Sequence, residues 1–174
     1  MKRIPVVLLG LMLVTAAPAF AGTFGFYGSY WDGSDSGSTY GAGARIGFDF
    51  LKWMELEFHG TYYTDFEGDI QSQNFELTAL PVDGGLKFKF LPNSKVNVYV
   101  GAGLTYYFMD TNLGTLDDEF TYYGEAGLQL GGKNTKFFVE ALWRSLDTTV
   151  DDPSGDTDID FSGVSANAGV NWHW

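Results

Sequence analysis

The 174-residue sequence contains no cysteine, and it has only two histidines and ten lysines and arginines. Without cysteine it can form no disulfide framework. Beyond residue 21 there is no apolar run of about 18 residues, so no membrane-spanning helix is predicted there. The net charge of −12 argues against nucleic acid as a partner, because the binding of phosphates needs a basic surface.

The first 21 residues have the organisation of a secretory signal peptide. Lys2 and Arg3 form a positive start, residues 4–14 are apolar, and residues 19–21 (Ala-Phe-Ala) form a cleavage site with small residues at its ends. Such a segment is removed on export and contributes nothing to the fold. We therefore expect one exported domain over residues 22–174, a length suited to a single domain.

The carboxyl-terminal segment is predicted to be a strand with two unlike faces. Small polar residues and glycine alternate there with apolar residues, and this period of two is typical of a β-strand. Two tryptophans end the apolar face, where a soluble protein usually has a polar tail. Strands of outer-membrane barrels turn such an apolar face to lipid and the polar face to the lumen. The apolar positions are Val164, Ala166, Ala168, Val170, Trp172 and Trp174.

Seven further runs of the same character precede this strand. Short connections alternate between them with longer acidic ones, as in barrels with short periplasmic turns and longer extracellular loops. We therefore predict an all-β fold, an eight-stranded antiparallel up-and-down transmembrane β-barrel. The predicted strands are 22–32, 39–50, 53–66, 74–90, 96–110, 119–130, 136–150 and 158–174.

The direction of the side chains distinguishes a membrane barrel from a secreted lipocalin-type barrel, which turns its apolar residues inward. In the second strand, aromatic residues stand at the ends of the apolar face, from Tyr40 to Phe50, while Arg45 and Asp49 lie on the other face. At ~3.3 Å per residue and a tilt of ~40°, that face is about 25 Å tall, the height of a lipid-facing band. The pattern favours the outer membrane of a Gram-negative bacterium, with outer-membrane lipid and lipopolysaccharide as partners.

Three segments resemble the small outer-membrane β-barrel domain family, which includes OmpA-, OmpX- and OmpW-like barrels. They are LPVDGGLKFKF at 80–90, VNVYVGAGLTYYF at 96–108 and FSGVSANAGVNWHW at 161–174. The resemblance implies the barrel fold and the outer-membrane location. It also implies that Val170, Trp172 and Trp174 form a terminal signal read by the barrel-assembly machinery, with tryptophan where the family most often ends in phenylalanine.

Charged residues alternate with the lipid-facing ones and are predicted to fill the lumen. An eight-stranded barrel has room only for side chains or one small ligand, and an unpaired charge there loses its hydration at a high cost. We expect an ion-pair network in which Glu57 is shared by Arg45 and Lys87, and in which Arg144 meets Glu125. A polar plug is favoured over a conducting or gated path. The predicted network consists of Arg45, Asp49, Glu55, Glu57, Asp83, Lys87, Lys89, Glu125, Glu140 and Arg144.

Most of the 22 acidic residues lie in or beside the four long connections. These loops are candidates to share divalent cations with lipopolysaccharide phosphates, because carboxylates are ligands for hard cations. A solvated polar surface is the favoured alternative, since loops are polar in most proteins. Asp156, Asp158 and Asp160 alternate along a strand edge as a weak candidate for Ca²⁺, and they lack the glycine-centred spacing of an EF-hand. We expect no bound metal and no cofactor.

The two histidines give little support to catalysis. A lipid hydrolase or protease in this membrane needs a histidine beside a hydroxyl or carboxylate, at the lipid face or the outer rim. His173 is predicted to lie at the periplasmic end, and His59 on the inward face beside Glu57. We therefore expect a structural or surface-interaction protein and no enzyme.

A second function stays open, the transport of a small hydrophobic solute, which the resemblance to OmpW-like barrels implies. Pro81 lies inside the predicted fourth strand, where it removes a ladder hydrogen bond and marks a candidate bulge, bend or lateral gap. The charges lower in the lumen count against such a path. The apolar residues that are candidates to line its upper part are Phe75, Leu77, Leu142 and Leu146.

Overall fold

The computed structural model describes residues 21–33, 37–64, 77–111, 120–145, 147–150, 157–160 and 162–174. Ten β-strands lie in these ranges, and the barrel is built from eight of them. Within the same ranges there is no helix long and apolar enough to cross a membrane. The strands are β1 (Ala21–Gly33), β2 (Gly37–Leu51), β3 (Met54–Thr64), β4 (Leu77–Lys89), β5 (Val96–Thr111), β6 (Phe120–Gly131), β7 (Thr135–Arg144), β8 (Asp147–Val150), β9 (Thr157–Asp160) and β10 (Gly163–His173).

The barrel is closed and antiparallel, with the strand order β1-β10-β7-β6-β5-β4-β3-β2. Its closing seam pairs β1 with β10 from Thr23–His173 to Gly33–Gly163. Two further backbone hydrogen bonds extend this seam, since Gly22 N donates to Trp174 O at 3.2 Å and Trp174 N donates to Gly22 O at 3.1 Å. Closure leaves no barrel strand with an unpaired edge. The predicted eight-stranded barrel is confirmed.

The structure divides the predicted strands 136–150 and 158–174, which is a correction to the sequence prediction. In the barrel, β7 ends at Arg144 and β10 begins at Gly163. The intervening β8 and β9 pair with each other in a separate two-stranded sheet, with Asp147 opposite Asp160. Strand-forming residues are found on both sides of each division, so the sequence pattern predicts one strand where the structure has two. Only the pairing partners distinguish β7 from β8 and β9 from β10.

The barrel is polar inside and apolar outside, which is the reverse of a soluble protein. Inward residues are buried and outward residues are exposed in strict alternation along β7. Arg45 is 2% exposed, whereas Phe26 is 54% exposed. Outward aromatic rings contact each other near both ends of the barrel. The ring centroids are 5.1 Å apart for Tyr30–Tyr40, on neighbouring strands, and 6.0 Å apart for Phe88 and Trp53, which lies in the turn before β3. Aromatic girdles around an apolar band are a feature of transmembrane barrels.

Several sequence predictions lie outside the described residues. They concern residues 1–20 of the predicted signal peptide, most of the acidic connections, the candidate lumen residues Phe75 and Leu146, and Asp156 of the candidate calcium site.

Candidate functional site

The strongest candidate for a functional site is the charged interior of the barrel. Every member of the predicted network lies on the inward face of β2, β3, β4, β6 or β7, and all are buried except Asp49, whose side chain is 23% exposed. Two groups can be distinguished by their contacts. The central cluster consists of Arg45, Glu57, His59, Asp83, Lys87, Glu125, Glu140 and Arg144. The lower cluster consists of Asp49, Glu55 and Lys89.

Arg45 spans the lumen from β2 to Glu140 on β7. Its two terminal nitrogens donate to the two carboxylate oxygens of Glu140 at 2.8 and 3.1 Å. The guanidinium also lies 3.9 Å from the ring centroid of Phe138 and 3.6 Å from Glu57. Tyr99 donates its hydroxyl proton to the same Glu140 carboxylate at 2.8 Å. A two-point guanidinium–carboxylate bond of this kind is strong and fixes the geometry of both partners.

Lys87 is the central ammonium group. It pairs closely with Glu57 on β3 and lies 3.8 Å from Glu125 on β6. Its Nζ also stands 4.4 Å from the ring centroid of Tyr99, a cation–π contact. Glu57 is therefore close to both Arg45 and Lys87, as the sequence pattern suggests, while Glu125 has the longer of the two contacts with Lys87.

Arg144 pairs with Asp83 on β4, and the predicted contact between Arg144 and Glu125 is wrong. Arg144 Nε donates to Asp83 Oδ1 at 3.0 Å, and its terminal nitrogen donates to Oδ2 at 2.6 Å. The strand register places Arg144 opposite Tyr123 and Glu125 opposite Leu142. From its position near the end of β7, the long side chain reaches across the lumen instead of along the sheet. Thr105 and Ser165 complete the group, Thr105 by donating to Asp83 at 2.5 Å and Ser165 by accepting from Arg144 at 3.2 Å.

The lower cluster lies nearer the short-turn end of the barrel. Lys89 contacts both Asp49 and Glu55 at 2.5 Å. Lys136 is also buried on the inward face of β7, although the sequence analysis did not include it in the network. Its parity with Glu140 and Arg144 is the signal that could have identified it, because inward residues of one strand are spaced by two.

Large side chains fill the remaining lumen by lying over inward glycines. The ring of Tyr99 occupies the space that a Cβ at Gly127 would need, and the ring of Tyr27 occupies that space at Gly43. Tyr27 also makes a 2.8 Å hydrogen bond with Thr61. These close approaches require glycine at both positions. The described part of the lumen is therefore packed with side chains at the level of the charged groups.

The two histidines differ in their surroundings. His173 Nδ1 lies 3.0 Å from the Thr23 hydroxyl, at the end of the barrel where β1 begins and β10 ends. His59 lies in the central cluster, with its Nε2 3.6 Å from Asp83 Oδ2 and its ring 5.4 Å from that of Tyr123. Neither histidine stands at the lipid face, where a lipid substrate would have to meet a catalytic base.

Pro81 interrupts the ladder between β3 and β4 without shifting its register. Pairing runs from Met54–Phe88 to Gly60–Val82 and resumes at Tyr63–Ala79 in the same register. Proline cannot donate a ladder hydrogen bond, so the two intervening pairs are missing while Pro81 stays paired with Tyr107 on β5. The interruption is a local gap and not a bulge.

A lipid-side groove of about 490 Å³ begins beside this gap. Its lining is almost entirely apolar, and its residues include Phe24, Ala44, Phe58, Gly60, Val82 and Trp174. Two inward residues, Arg45 and His59, also belong to its lining. The terminal residues Val170, Trp172 and Trp174 all face outward, and Trp172 contacts Phe26 with centroids 6.3 Å apart. The groove therefore extends from the interrupted ladder between β3 and β4 to the closing seam between β1 and β10.

Solved structures with similar folds include small bacterial barrels. The outer membrane protein OprG from Pseudomonas aeruginosa aligns with a TM-score of 0.72 and 16% identity, covering 90% of this chain and 96% of that one. Neisserial surface protein A gives 0.61 and 17%, covering 88% and 96%. The amino-terminal barrel domain of Pseudomonas aeruginosa OprF gives 0.54 and 16%, covering 88% and 97%. At these identities the likeness shows the fold alone.

The comparison with curated proteins finds no match. The family model described as the outer membrane protein beta-barrel domain matches residues 6–173. This match spans nearly the whole chain and agrees with the closed barrel, its polar interior and its apolar outer wall. The chain thus belongs to the outer membrane protein β-barrel domain family, and it is an integral barrel protein of the Gram-negative outer membrane.

Proposed function

We propose that this protein is a barrel closed by its own side chains, with a structural or surface-interaction role and no enzymatic activity. The observation that carries the proposal is a set of two buried ion pairs, each of which spans the lumen. One joins β2 to β7 through Arg45 and Glu140, and the other joins β7 to β4 through Arg144 and Asp83. Both pairs connect strands that are not neighbours in the barrel.

These pairs oppose the formation of a water path. Opening a path would require charges to separate inside a narrow lumen, and a buried charge that loses its partner destabilises a protein strongly. The pairs also act as transverse braces, because each connects two sides of the wall. A rigid, closed barrel is suited to presenting loops to the exterior, and the acidic loops of this sequence would meet lipopolysaccharide, its divalent cations or a surface partner.

Planar-bilayer conductance of the refolded protein tests the proposal. We expect the wild-type protein to insert without unitary current steps. The double variant Arg45→Ala/Glu140→Ala removes the brace between β2 and β7 and should conduct, which also shows that inserted barrels are detected. Reproducible steps from the wild-type protein would contradict a closed barrel and would favour a gated channel through the charged interior.

Transport of a small hydrophobic solute through the wall is the second candidate. The ladder gap at Pro81 and the apolar groove beside it favour this function, because a solute could leave the barrel where strand pairing is interrupted. The buried, inward Leu142 would belong to the upper part of such a path. The charged clusters lower in the lumen would force the exit to be lateral, since an apolar solute gains nothing from crossing them.

An apolar fluorescent dye provides the test in lipid vesicles that contain the refolded protein. If the gap is an exit, Pro81→Val should slow dye transfer into the membrane, because valine restores the missing N–H. Pro92→Val is the matched control, since Pro92 lies in the turn between β4 and β5 and outside the gap. Equal transfer by the wild type, by Pro81→Val and by vesicles without protein would contradict this function and leave the closed-barrel proposal in place.

A further inference from the structure

The central cluster contains three potential metal ligands whose ion pairs leave several of their oxygen and nitrogen atoms without a hydrogen-bond partner. Glu57 and His59 on β3 and Glu125 on β6 each offer one ligand atom, and these atoms lie within 4.8 Å of one another. All three residues are buried, with 1%, 2% and 6% of their surfaces exposed. Two strands, β4 and β5, separate β3 from β6 in the wall, so the three side chains converge across the lumen.

Four of the ligand-type atoms in this set are without hydrogen-bond partners. They are Glu57 Oε1, both ring nitrogens of His59 and Glu125 Oε2. Glu57 Oε1 lies 3.6 Å from Arg45, and His59 Nε2 lies 3.6 Å from Asp83, and neither contact is a hydrogen bond. Buried polar atoms are normally satisfied, and each one left without a partner costs stability. One cation placed between the three residues would serve several of these atoms at once.

The charges inside the barrel also do not balance, because acidic side chains outnumber basic ones. Among the described inward side chains, six are acidic and five are basic, which leaves one carboxylate in excess while the histidines are neutral. Glu125 holds the least compensated of these carboxylates, because its 3.8 Å contact is with a lysine that already pairs closely with Glu57. The acids are Asp49, Glu55, Glu57, Asp83, Glu125 and Glu140, and the bases are Arg45, Lys87, Lys89, Lys136 and Arg144.

We propose that Glu57, His59 and Glu125 bind one divalent transition-metal ion inside the barrel. One imidazole nitrogen and two carboxylate oxygens suit Zn²⁺ and its first-row neighbours, whereas Ca²⁺ and Mg²⁺ prefer sites built from oxygen alone. Three protein ligands leave a fourth tetrahedral position for water. Asp83 stands behind His59, where it can hold one ring nitrogen while the other faces the ion, and the rings of Tyr27 and Tyr123 flank the imidazole.

Lys87 is the competitor of the ion, because its ammonium group occupies the space between Glu57 and Glu125. A divalent ion would exceed the charge deficit by one while Lys87 stays charged. In the variant Lys87→Met the deficit is two, which one divalent ion would balance. The proposal therefore predicts that removal of this lysine strengthens metal binding. If Lys87 only pairs with the carboxylates and no ion binds there, its removal would destabilise the barrel without any gain in metal binding.

The ion would have to enter during folding, since packed side chains surround the cluster. The protein without a polyhistidine tag is unfolded in urea with a chelator, freed of the chelator and refolded into detergent micelles with Zn²⁺. After a second chelator wash, metal and protein are quantified. We expect the wild type to retain zinc, Lys87→Met to retain it more completely, at about one ion per chain, and His59→Gln and Glu125→Gln to lose it. His173→Gln, which changes the other histidine, is the matched control and should retain zinc.

Refolding with Co²⁺ gives a readout that does not depend on the folding of any variant. A ligand set of one nitrogen and two oxygens should produce visible absorption bands in the washed wild-type protein. Wild-type barrel that retains no zinc and shows no cobalt bands would overturn the proposal. Zinc retained equally by His59→Gln, or lost from His173→Gln alone, would also overturn it, because the ion would then lie elsewhere.

Discussion

Removal of the Arg144 side chain tests how much the transverse ion pairs stabilise this barrel. Arg144→Met keeps most of the side-chain volume but leaves Asp83 buried without its cation. Breaking a buried pair on one side costs about 3–5 kcal/mol. Thr105 still donates to Asp83 in the variant, so we expect the lower part of that range, about 3.5 kcal/mol, or a factor of about 400 in the unfolding equilibrium.

Urea unfolding of the refolded barrel, followed by tryptophan fluorescence and by gel mobility, measures this loss. The double variant Arg144→Met/Asp83→Leu removes both charges and should return to within about 1 kcal/mol of the wild type, because an apolar pair replaces an ion pair at little cost. Lys95→Met is the surface control, since Lys95 is exposed in a turn. An unchanged midpoint for Arg144→Met, or a double variant no more stable than the single one, would refute the argument.

Two further substitutions test the packing of the wall. Gly127→Val should destabilise the barrel by about 1–3 kcal/mol, the usual cost of overpacking, because a Cβ there meets the ring of Tyr99. Gly124→Ala is the control and should have little effect in the same urea assay, since Gly124 lies on the lipid side with no atom within 4 Å of its Cβ position. Pro81→Val should raise stability by about 0.5–1.5 kcal/mol if its new N–H bonds to β3, and hydrogen exchange should then show protection at residue 81. A fast-exchanging amide at that position would mean that the gap persists for reasons other than the missing donor.

Local sequence features predict most of the wall. The alternation of apolar and polar residues identifies each barrel strand and the direction of each side chain, because the period of two is a property of an extended backbone. Aromatic residues at the ends of the apolar faces indicate the lipid-facing band. Strand ends are less well predicted, as the division of residues 136–150 into β7 and β8 shows, because pairing partners decide where a barrel strand stops.

Contacts across the lumen depend on the tertiary structure. The sequence places Arg144 and Glu125 on one inward face, yet Arg144 reaches Asp83 on a strand that is not adjacent. The tilt and stagger of the strands determine which inward residues share a level of the barrel, and neither can be derived from a single strand. The same holds for the gap at Pro81, where the neighbouring strands keep the register although the hydrogen bonds are missing.

The sequence by itself therefore determined that this chain is a membrane barrel with charges in its lumen, because alternation, length and composition act locally along each strand. Only the tertiary structure decided which charges meet and where ligand atoms are left without partners. Glu57 and His59 are neighbours on one strand, but Glu125 joins them from the other side of the lumen. Such convergence follows from closure of the barrel, which brings together residues that no sequence spacing relates.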